Sequence, residues 1–430
     1  MNYIKKNIWI KITSFNSLAV FSRLFSAWAI NKLIAVYIGP QGTGLAEQFR
    51  NFLQALQGIS VLGIQEGITK FTAEFSTLKK QMNSFLYSSL KMVLIWSVVL
   101  GLIIAFFSDK INTWLFPGYD FSRIVFLTGI LLPLLAFNLI FIAVLKGLQA
   151  YKKIVFINVS TNILGILLAY ILIKNYYLEG ALLLILGIQI LQFIITAFLL
   201  LKSRGRFHFR FSGKMDFGQI SRLSPFVIMA VVSAIVIPLF NILIRNHIFT
   251  FFDSQGAVQA GYWDAAKKIG NLFLSLITPV FGMYYFPQLA KLSNSSGFQT
   301  EIKKFVIQVL PWFTIGLILI YLFRYPLIRL FFSEAYFPME SLFPWQLAGE
   351  YFKILSLLIA YLMLAKAHLK LYIISELGFW VTYYLLTLVL LNYYGLKGVS
   401  MAYFIAYVCY FFFLVIVYYK YLFYKNIPIK

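Results

Sequence analysis

Apolar segments long enough to cross a membrane constrain this chain more than any other feature of its sequence. A helix that crosses a lipid bilayer needs about 20 mostly apolar residues. Because the interior of a bilayer offers no water to bond exposed backbone groups, such segments are predicted to be α-helices. Twelve predicted spans follow from this requirement, of which the second and the eighth are the least apolar: 12–36, 45–67, 84–107, 122–145, 154–173, 180–201, 222–245, 260–286, 305–323, 345–366, 371–391 and 398–420.

The composition agrees with a membrane protein and excludes an ordinary soluble domain. Hydrophobic residues make up 61% of the 430 residues and charged residues only 12%. Soluble domains have roughly 45–50% apolar and about 25% charged residues. In water so much apolar surface would favour aggregation, whereas lipid can cover it on every helix.

The formal net charge of +23 indicates membrane topology and not nucleic-acid binding, because the basic residues are dispersed through short loops. Of the 37 Lys and Arg residues, 23 lie on the side of the predicted loops that includes both termini, and 7 lie on the opposite side. Basic loops stay in the cytoplasm. The sequence therefore predicts a multi-pass membrane protein with both termini cytoplasmic.

The two halves of the sequence resemble each other at a nearly fixed offset. The segment 44–50 aligns with 261–267, a shift of 217 residues, and Gly180 aligns with Gly398, a shift of 218. Six spans per half is an even number, so the repeats are predicted to share one orientation, as parallel repeats do in one class of transporters. The predicted domains are an N-terminal lobe at 1–201, a basic cytoplasmic linker at 202–221 and a C-terminal lobe at 222–430.

Ionisable residues inside the predicted spans are the candidate site, because charge within a membrane is costly and usually faces a cavity. At about 100° per residue, the polar residues of the second span fall on one face of a helix. Those residues are Glu47, Arg50, Asn51, Gln54, Gln57 and Gln65. The candidates in the other spans are Arg23, Asp264, Lys267, Lys268, Glu350 and Lys353.

Three of the spans carry an acid three residues before a base: Glu47 before Arg50, Asp264 before Lys267, and Glu350 before Lys353. The simpler interpretation is an ion pair within each helix. Arg23 has no acid at helical spacing in its own span. Because bases outnumber acids, the predicted cargo is anionic, and arginine is suited to phosphate through paired hydrogen bonds.

No motif for catalysis, a metal or a cofactor is apparent in the sequence. The three histidines are far apart, no phosphate-binding G-x-x-x-x-G-K-[ST] loop is present, and the loops predicted to face outward are short. A polysaccharide polymerase would be expected to carry a large outer loop. The prediction is a transporter that is not an enzyme and that has no cofactor and no nucleic-acid partner.

Three segments resemble the Wzx flippases of O-antigen and enterobacterial-common-antigen synthesis, most closely the branch that includes the lipid III flippase. They are IGPQGTG at 38–44, GIQEG at 63–67 and PWQLAGE at 344–350 with Lys353. The resemblance covers essentially the whole chain. It implies the MATE-like fold of the multidrug/oligosaccharidyl-lipid/polysaccharide exporter (MOP) superfamily.

The resemblance also implies a cargo and a mode of transport. The implied cargo is an undecaprenyl-diphosphate-linked oligosaccharide, which crosses the bacterial inner membrane to the periplasmic side by alternating access and is polymerised there. Membrane lipid and other assembly proteins, such as the polymerase and the chain-length regulator, are the implied partners. In the related lipid II flippases, basic residues of helices one, two and eight line the cavity, and Arg23, Arg50 and Lys267 match them by helix.

Further expectations concern the contents of the cavity and its charge. The diphosphate is expected between Arg23 and Arg50, with Lys267 or Lys268 contributing from the C-terminal lobe and Lys353 also counted in the cationic cavity. The sugars are expected beside Asn51, Gln54 and Gln57. The alternative function is a cation-coupled multidrug exporter of the MATE type, which shares the fold. Such an exporter is expected to keep unpaired acids in its cavity, so the sign of the cavity distinguishes the two functions.

Overall fold

The fold is all-helical, without a β-sheet in the part of the chain that the structure describes. A computed structural model describes residues 2–74, 79–202, 224–281, 285–292, 294–366, 368–424 and 427. The helices of the first half are α1 (Asn2–Tyr37), α2 (Pro40–Ser60), α3 (Gln65–Glu74), α4 (Lys79–Phe106), α5 (Ser108–Leu115), α6 (Ser122–Gly147) and α7 (Tyr151–Lys202). Those of the second half are α8 (Ser224–Phe251), α9 (Gly256–Val280), α10 (Phe286–Lys291), α11 (Ser295–Gln308), α12 (Leu310–Leu322), α13 (Arg324–Phe331), α14 (Phe343–Ala365), α15 (Leu369–Tyr394), α16 (Leu396–Val417) and α17 (Tyr419–Phe423), with 3-10 helices at Asp253–Gln255 and Glu334–Leu342.

Eight helical segments of the described residues are long and apolar enough to cross a membrane. They account for nine of the twelve predicted spans, because the 52-residue helix α7 covers both 154–173 and 180–201. The segments outside this set are 12–36, 45–67 and 260–286. The protein is therefore a multi-pass membrane protein, and the count of twelve spans stays a prediction.

The predicted second span at 45–67 is wrong as one continuous helix. α2 ends at Ser60, residues 61–64 form a turn, and α3 begins at Gln65. Leu62 and Gly63 have φ of 51° and 62° in this turn, a left-handed conformation that glycine adopts without a steric penalty. Gln65 thus belongs to a different helix from Glu47 and Arg50, and the predicted polar stripe ends with α2.

The chain forms two compact units. The first consists of Met1–Ile38 and Leu45–Ile242, and the second of Gly39–Gly44 and Leu243–Lys430. The predicted lobe boundaries stay a prediction. Of the predicted linker at 202–221, all but the first residue lies outside the described residues.

In the first unit, α6 is the central packing element. It contacts α3, α4 and α7, and α1 lies along α7. The buried core between α3, α4 and α6 includes Ile68, Phe85, Val93 and Ile140, each at most 1% exposed. Such burial is typical of packed helices and fixes the scaffold to which α1 and α7 attach.

In the second unit, α14 and α16 pack against each other, and both contact α9, α15 and the 3-10 helix Glu334–Leu342. The first turn of α2 belongs to this unit and crosses α9 at two glycines. A Cβ atom at Gly44 would meet the carbonyl oxygen of Ala257, and one at Gly261 would meet that of Pro40. Both glycines are therefore needed for this close approach of the two backbones.

Two turns in different units have similar backbone conformations at an offset of 218 residues. Tyr177 interrupts α7 with φ 45° and ψ −115°, and Gly395 separates α15 from α16 with φ 57° and ψ −147°. Three residues after each turn lies a glycine, Gly180 or Gly398, at which a Cβ would collide with the backbone carbonyl of the residue eight positions before it. The sequence likeness at this offset thus extends to backbone conformation, although the first turn has tyrosine where the second has glycine.

This difference predicts that Tyr177→Gly stabilises the protein. A positive φ destabilises the folded state by about 1–2 kcal/mol when the residue is not glycine. Glycine removes this cost but makes the unfolded chain more flexible, which offsets roughly 0.5–1 kcal/mol of the stabilisation. Tyr177 is 60% exposed, so its side chain contributes little packing. We expect a higher thermal unfolding midpoint for Tyr177→Gly in detergent and a lower one for the matched change Gly395→Ala. Equal midpoints for both variants would contradict this account.

Candidate functional site

Arg23 and Arg50 line one cavity in the first unit. The cavity has a volume of about 220 Å³ and lies between α1, α2 and the two arms of α7 on either side of Tyr177. Arg23 comes from α1 and Arg50 from α2, so the structure brings together the two arginines that the sequence analysis selected. The residues that line this cavity include no carboxylate. The cavity therefore presents positive charge.

Arg50 is oriented by its own helix. Its Nε lies 3.3 Å from the Glu47 carboxylate, and its side chain is 47% exposed. Asn51 donates a hydrogen bond from Nδ2 to the Glu47 backbone carbonyl at 2.7 Å. The predicted ion pair between Glu47 and Arg50 is confirmed, and it holds the guanidinium next to a carboxylate of its own helix.

Arg23 differs from Arg50 in its surroundings. Among the residues that the structure describes, no carboxylate forms an ion pair with Arg23, and its side chain is exposed. The face of α1 beside it is fixed to α7, because Asn162 donates from Nδ2 to Ser22 Oγ at 3.0 Å and Ser26 donates from Oγ to the Asn162 carbonyl at 3.1 Å. An unneutralised arginine on a fixed helix face is suited to bind an anion.

The amide side chains that line the cavity are not the ones that were predicted to contact the sugars. Asn51, Gln54 and Gln57 are not among the residues that line it. The amides that do line it are Asn31, Asn162 and Gln189. The last two are amides within predicted apolar spans, where polar side chains usually face a cavity, and this could have selected them from the sequence.

In the second unit, Asp264 has a closer partner than the predicted Lys267. Arg245 Nε donates to Asp264 Oδ2 at 2.9 Å, and Arg245 Nη2 donates to Asp264 Oδ1 at 2.8 Å. Both side chains are buried, that of Arg245 completely. Arg245 lies within the helix α8 (Ser224–Phe251), and its two-point pair with Asp264 makes the burial of its charge possible.

Lys267 is a secondary neighbour of Asp264. Its Nζ lies 3.8 Å from Asp264 Oδ1 and only 3.9 Å from the ring centre of Trp263, which is a cation–π contact. The predicted pair with Asp264 is thus long, and Lys267 rests mainly on the indole. The neighbouring Lys268 is partly buried on the same helix, α9.

Glu350 and Lys353 form the third predicted pair, and the structure confirms it at 3.3 Å. The Glu350 side chain is completely buried on α14. Its Oε1 accepts hydrogen bonds from Tyr403 of α16 at 2.7 Å and from Gln346 at 3.1 Å. The pair is therefore part of a network that joins helices of the second unit, and this extension was not visible from spacing alone.

The described residues of the cavity supply groups that can bind an anion. No group of three or more His, Cys, Asp or Glu residues that could hold a metal occurs among them. The positively charged cavity of the first unit supplies two guanidinium groups, which bind phosphate oxygens through paired, charge-assisted hydrogen bonds. Amide groups beside them supply donors and acceptors for hydroxyl groups.

Comparisons with known proteins agree with this interpretation of the fold. The profile of the polysaccharide biosynthesis protein family matches residues 14–293. The lipid III flippase of Escherichia coli (strain K12) is 27% identical over 412 residues, which are 96% of this chain and 97% of that protein.

Two solved structures share the fold over most of their length. An inward-facing multidrug resistance MATE family transporter of the MOP superfamily has a TM-score of 0.76 at 14% identity, with 92% of this chain and 94% of that chain covered. The lipid II flippase MurJ in an inward closed conformation has a TM-score of 0.68 at 18% identity, with 94% and 87% covered. The predicted MATE-like fold is confirmed.

Proposed function

The chain belongs to the family of polysaccharide biosynthesis proteins, and on that premise we propose that it is a flippase. Its cargo is an undecaprenyl-diphosphate-linked oligosaccharide, which it moves from the cytoplasmic to the periplasmic leaflet by alternating access. A relative that aligns over nearly the whole chain is a lipid III flippase, which supports a lipid-linked glycan as the cargo.

The observation that carries the proposal is the pair of arginines in a cavity whose lining includes no carboxylate. A diphosphate headgroup carries negative charge on oxygens that two guanidinium groups can bind at the same time. The amides of Asn162 and Gln189 lie on the same cavity wall and supply hydrogen bonds for sugar hydroxyl groups. The polyprenyl tail needs no protein site, since it stays in the hydrocarbon of the bilayer.

The sign of this cavity disfavours the alternative, a cation-coupled multidrug exporter. Organic cations are attracted to acids, and Glu47, the acid beside Arg50, is paired with that arginine. The MATE neighbour at 14% identity shares the fold and does not decide the cargo. Placement in the bacterial inner membrane with both termini cytoplasmic, and contact with a polymerase and a chain-length regulator, belong to the same proposal.

A deletion strain tests the cargo directly. Loss of the gene is expected to cause accumulation of the undecaprenyl-linked intermediate, because synthesis on the cytoplasmic side continues while export stops. Lipid extraction and mass spectrometry measure the intermediate, and a plasmid copy of the gene should restore its normal level. If no intermediate accumulates and the strain becomes sensitive to organic cations instead, the drug-exporter function replaces this proposal.

A further inference from the structure

The ammonium group of Lys353 is held by oxygen atoms from three helices of the second unit. Its Nζ donates to Asn271 Oδ1 of α9 at 2.9 Å and to the Tyr403 hydroxyl of α16 at 3.3 Å. The Glu350 Oε2 atom on α14 lies at 3.3 Å. The side chain of Lys353 is 20% exposed, so little water surrounds the charge.

The oxygens around this ammonium are fixed independently of it. Glu350 is held through its other carboxylate oxygen by Tyr403 and Gln346. Gly270 of α9 leaves room for them, since a Cβ there would lie 3.3 Å from Gln346 Cγ and 3.5 Å from Glu350 Cγ. The buried Oε1 atom of Gln346 accepts no hydrogen bond within the described part of the chain. The cluster thus has acceptor capacity that Lys353 does not use.

A carboxylate, amide carbonyl oxygens and a phenol oxygen are ligands that hard metal cations prefer. With a single carboxylate, the cluster balances one positive charge, which excludes a divalent ion as a matched occupant. The Lys353 ammonium supplies that charge, donates hydrogen bonds to Asn271 and Tyr403, and pairs with Glu350.

We propose that this cluster is a monovalent-cation site that the chain fills with its own lysine. Lys353 is a tethered cation, which stays with the protein where a dissolved ion would bind and leave. The site in this unit therefore takes no Na⁺ or K⁺ while Lys353 is present, and removal of the lysine side chain opens it to either ion. This inference concerns ion binding and does not depend on the identity of the transported cargo.

The test is the effect of Na⁺ on the thermal unfolding midpoint of the purified full-length protein. In Lys353→Ala, replacing choline chloride with NaCl at constant ionic strength should raise the midpoint by roughly 5 °C, because an ion that binds only the folded state stabilises it. The wild type should show the same midpoint in both salts. The double variant Lys353→Ala with Glu350→Gln should lose the Na⁺ effect, because the charge that attracts the ion is gone.

The chain offers a matched control in Lys267→Ala. That lysine also lies three residues after a buried acid, but Asp264 is already neutralised by Arg245. Its removal should therefore create no Na⁺ dependence. Lys353→Met, which fills the space with an apolar side chain, should be destabilised in both salts alike.

Either of two results would overturn the proposal. One is a Lys353→Ala variant whose midpoint is the same in choline and sodium. The other is a Na⁺-specific shift in the wild type, which is measurable even if Lys353→Ala fails to fold and which would show that an external ion occupies the cluster beside the lysine. Neither result bears on the flippase function, which the accumulated intermediate tests separately.

Discussion

Replacing Arg23 or Arg50 with alanine is expected to abolish surface glycan without lowering the amount of protein in the membrane. Each arginine lines the cavity of the first unit, and neither side chain is buried in the protein core. Loss of one guanidinium removes paired hydrogen bonds to phosphate, each worth about 1.5–3 kcal/mol when one partner is charged. The amount of glycan is measured on the cell surface, and the amount of protein is measured by immunoblots of the membrane fraction.

Three further variants make this result specific. Arg23→Lys and Arg50→Lys should retain part of the activity, because lysine keeps the charge but cannot form the two-point contact. Lys91→Ala serves as the matched control, since this exposed lysine of α4 lies outside the cavity. Wild-type levels of glycan in both alanine variants would remove the basis of the proposed binding site.

The second large effect is expected at the buried pair of Arg245 and Asp264. Replacing either residue with alanine leaves a charge without its partner in the protein interior, which costs about 3–5 kcal/mol. Both variants should show a much lower unfolding midpoint and reduced levels in the membrane. Lys267→Ala removes only the longer ion pair of Asp264, at 3.8 Å. It should lower the free energy of unfolding by less than about 1 kcal/mol.

A double variant separates charge from packing at the same position. Arg245→Met combined with Asp264→Leu removes both charges and keeps apolar volume, so it should recover most of the stability lost in either alanine variant. A double variant no more stable than the alanine variants would show that the hydrogen bonds themselves, and not the isolated charge, maintain this part of the fold.

Apolar length predicts the helices of this protein well where each helix is apolar along its whole length. The span predicted at 122–145 corresponds to Ser122–Gly147, and the one at 398–420 to Leu396–Val417. The turn at 61–64 was missed, because a hydropathy window averages over the few residues that end a helix, whereas the break at Tyr177 falls in the gap between the predicted spans 154–173 and 180–201. The one local signal was Gly63, a residue type that is also tolerated within helices.

In the candidate site, too, contacts within one helix could be predicted from the sequence, whereas contacts between helices could not. Pairs at helical spacing, such as Glu350 with Lys353, follow from the sequence because α-helix geometry fixes their separation. The partner of Asp264 does not, since Arg245 lies 19 residues away on another helix and only packing brings the two together. The cavity amides Asn162 and Gln189 likewise depend on how the two arms of α7 face α1.

The polarity of α2 also has a consequence for how the chain enters the membrane during synthesis. α2 is not among the eight apolar segments, and it carries both Glu47 and Arg50. A charged residue near the centre of a span costs about 2.5–3.5 kcal/mol when a segment partitions from the translocon into lipid. Its apolar residues, such as Phe49 and Leu53, are buried in protein and not in lipid. Insertion of α2 into the membrane therefore depends on neighbouring helices. Arg50, which lines the cavity, is thus one of the residues that make the insertion of this helix dependent on the rest of the chain.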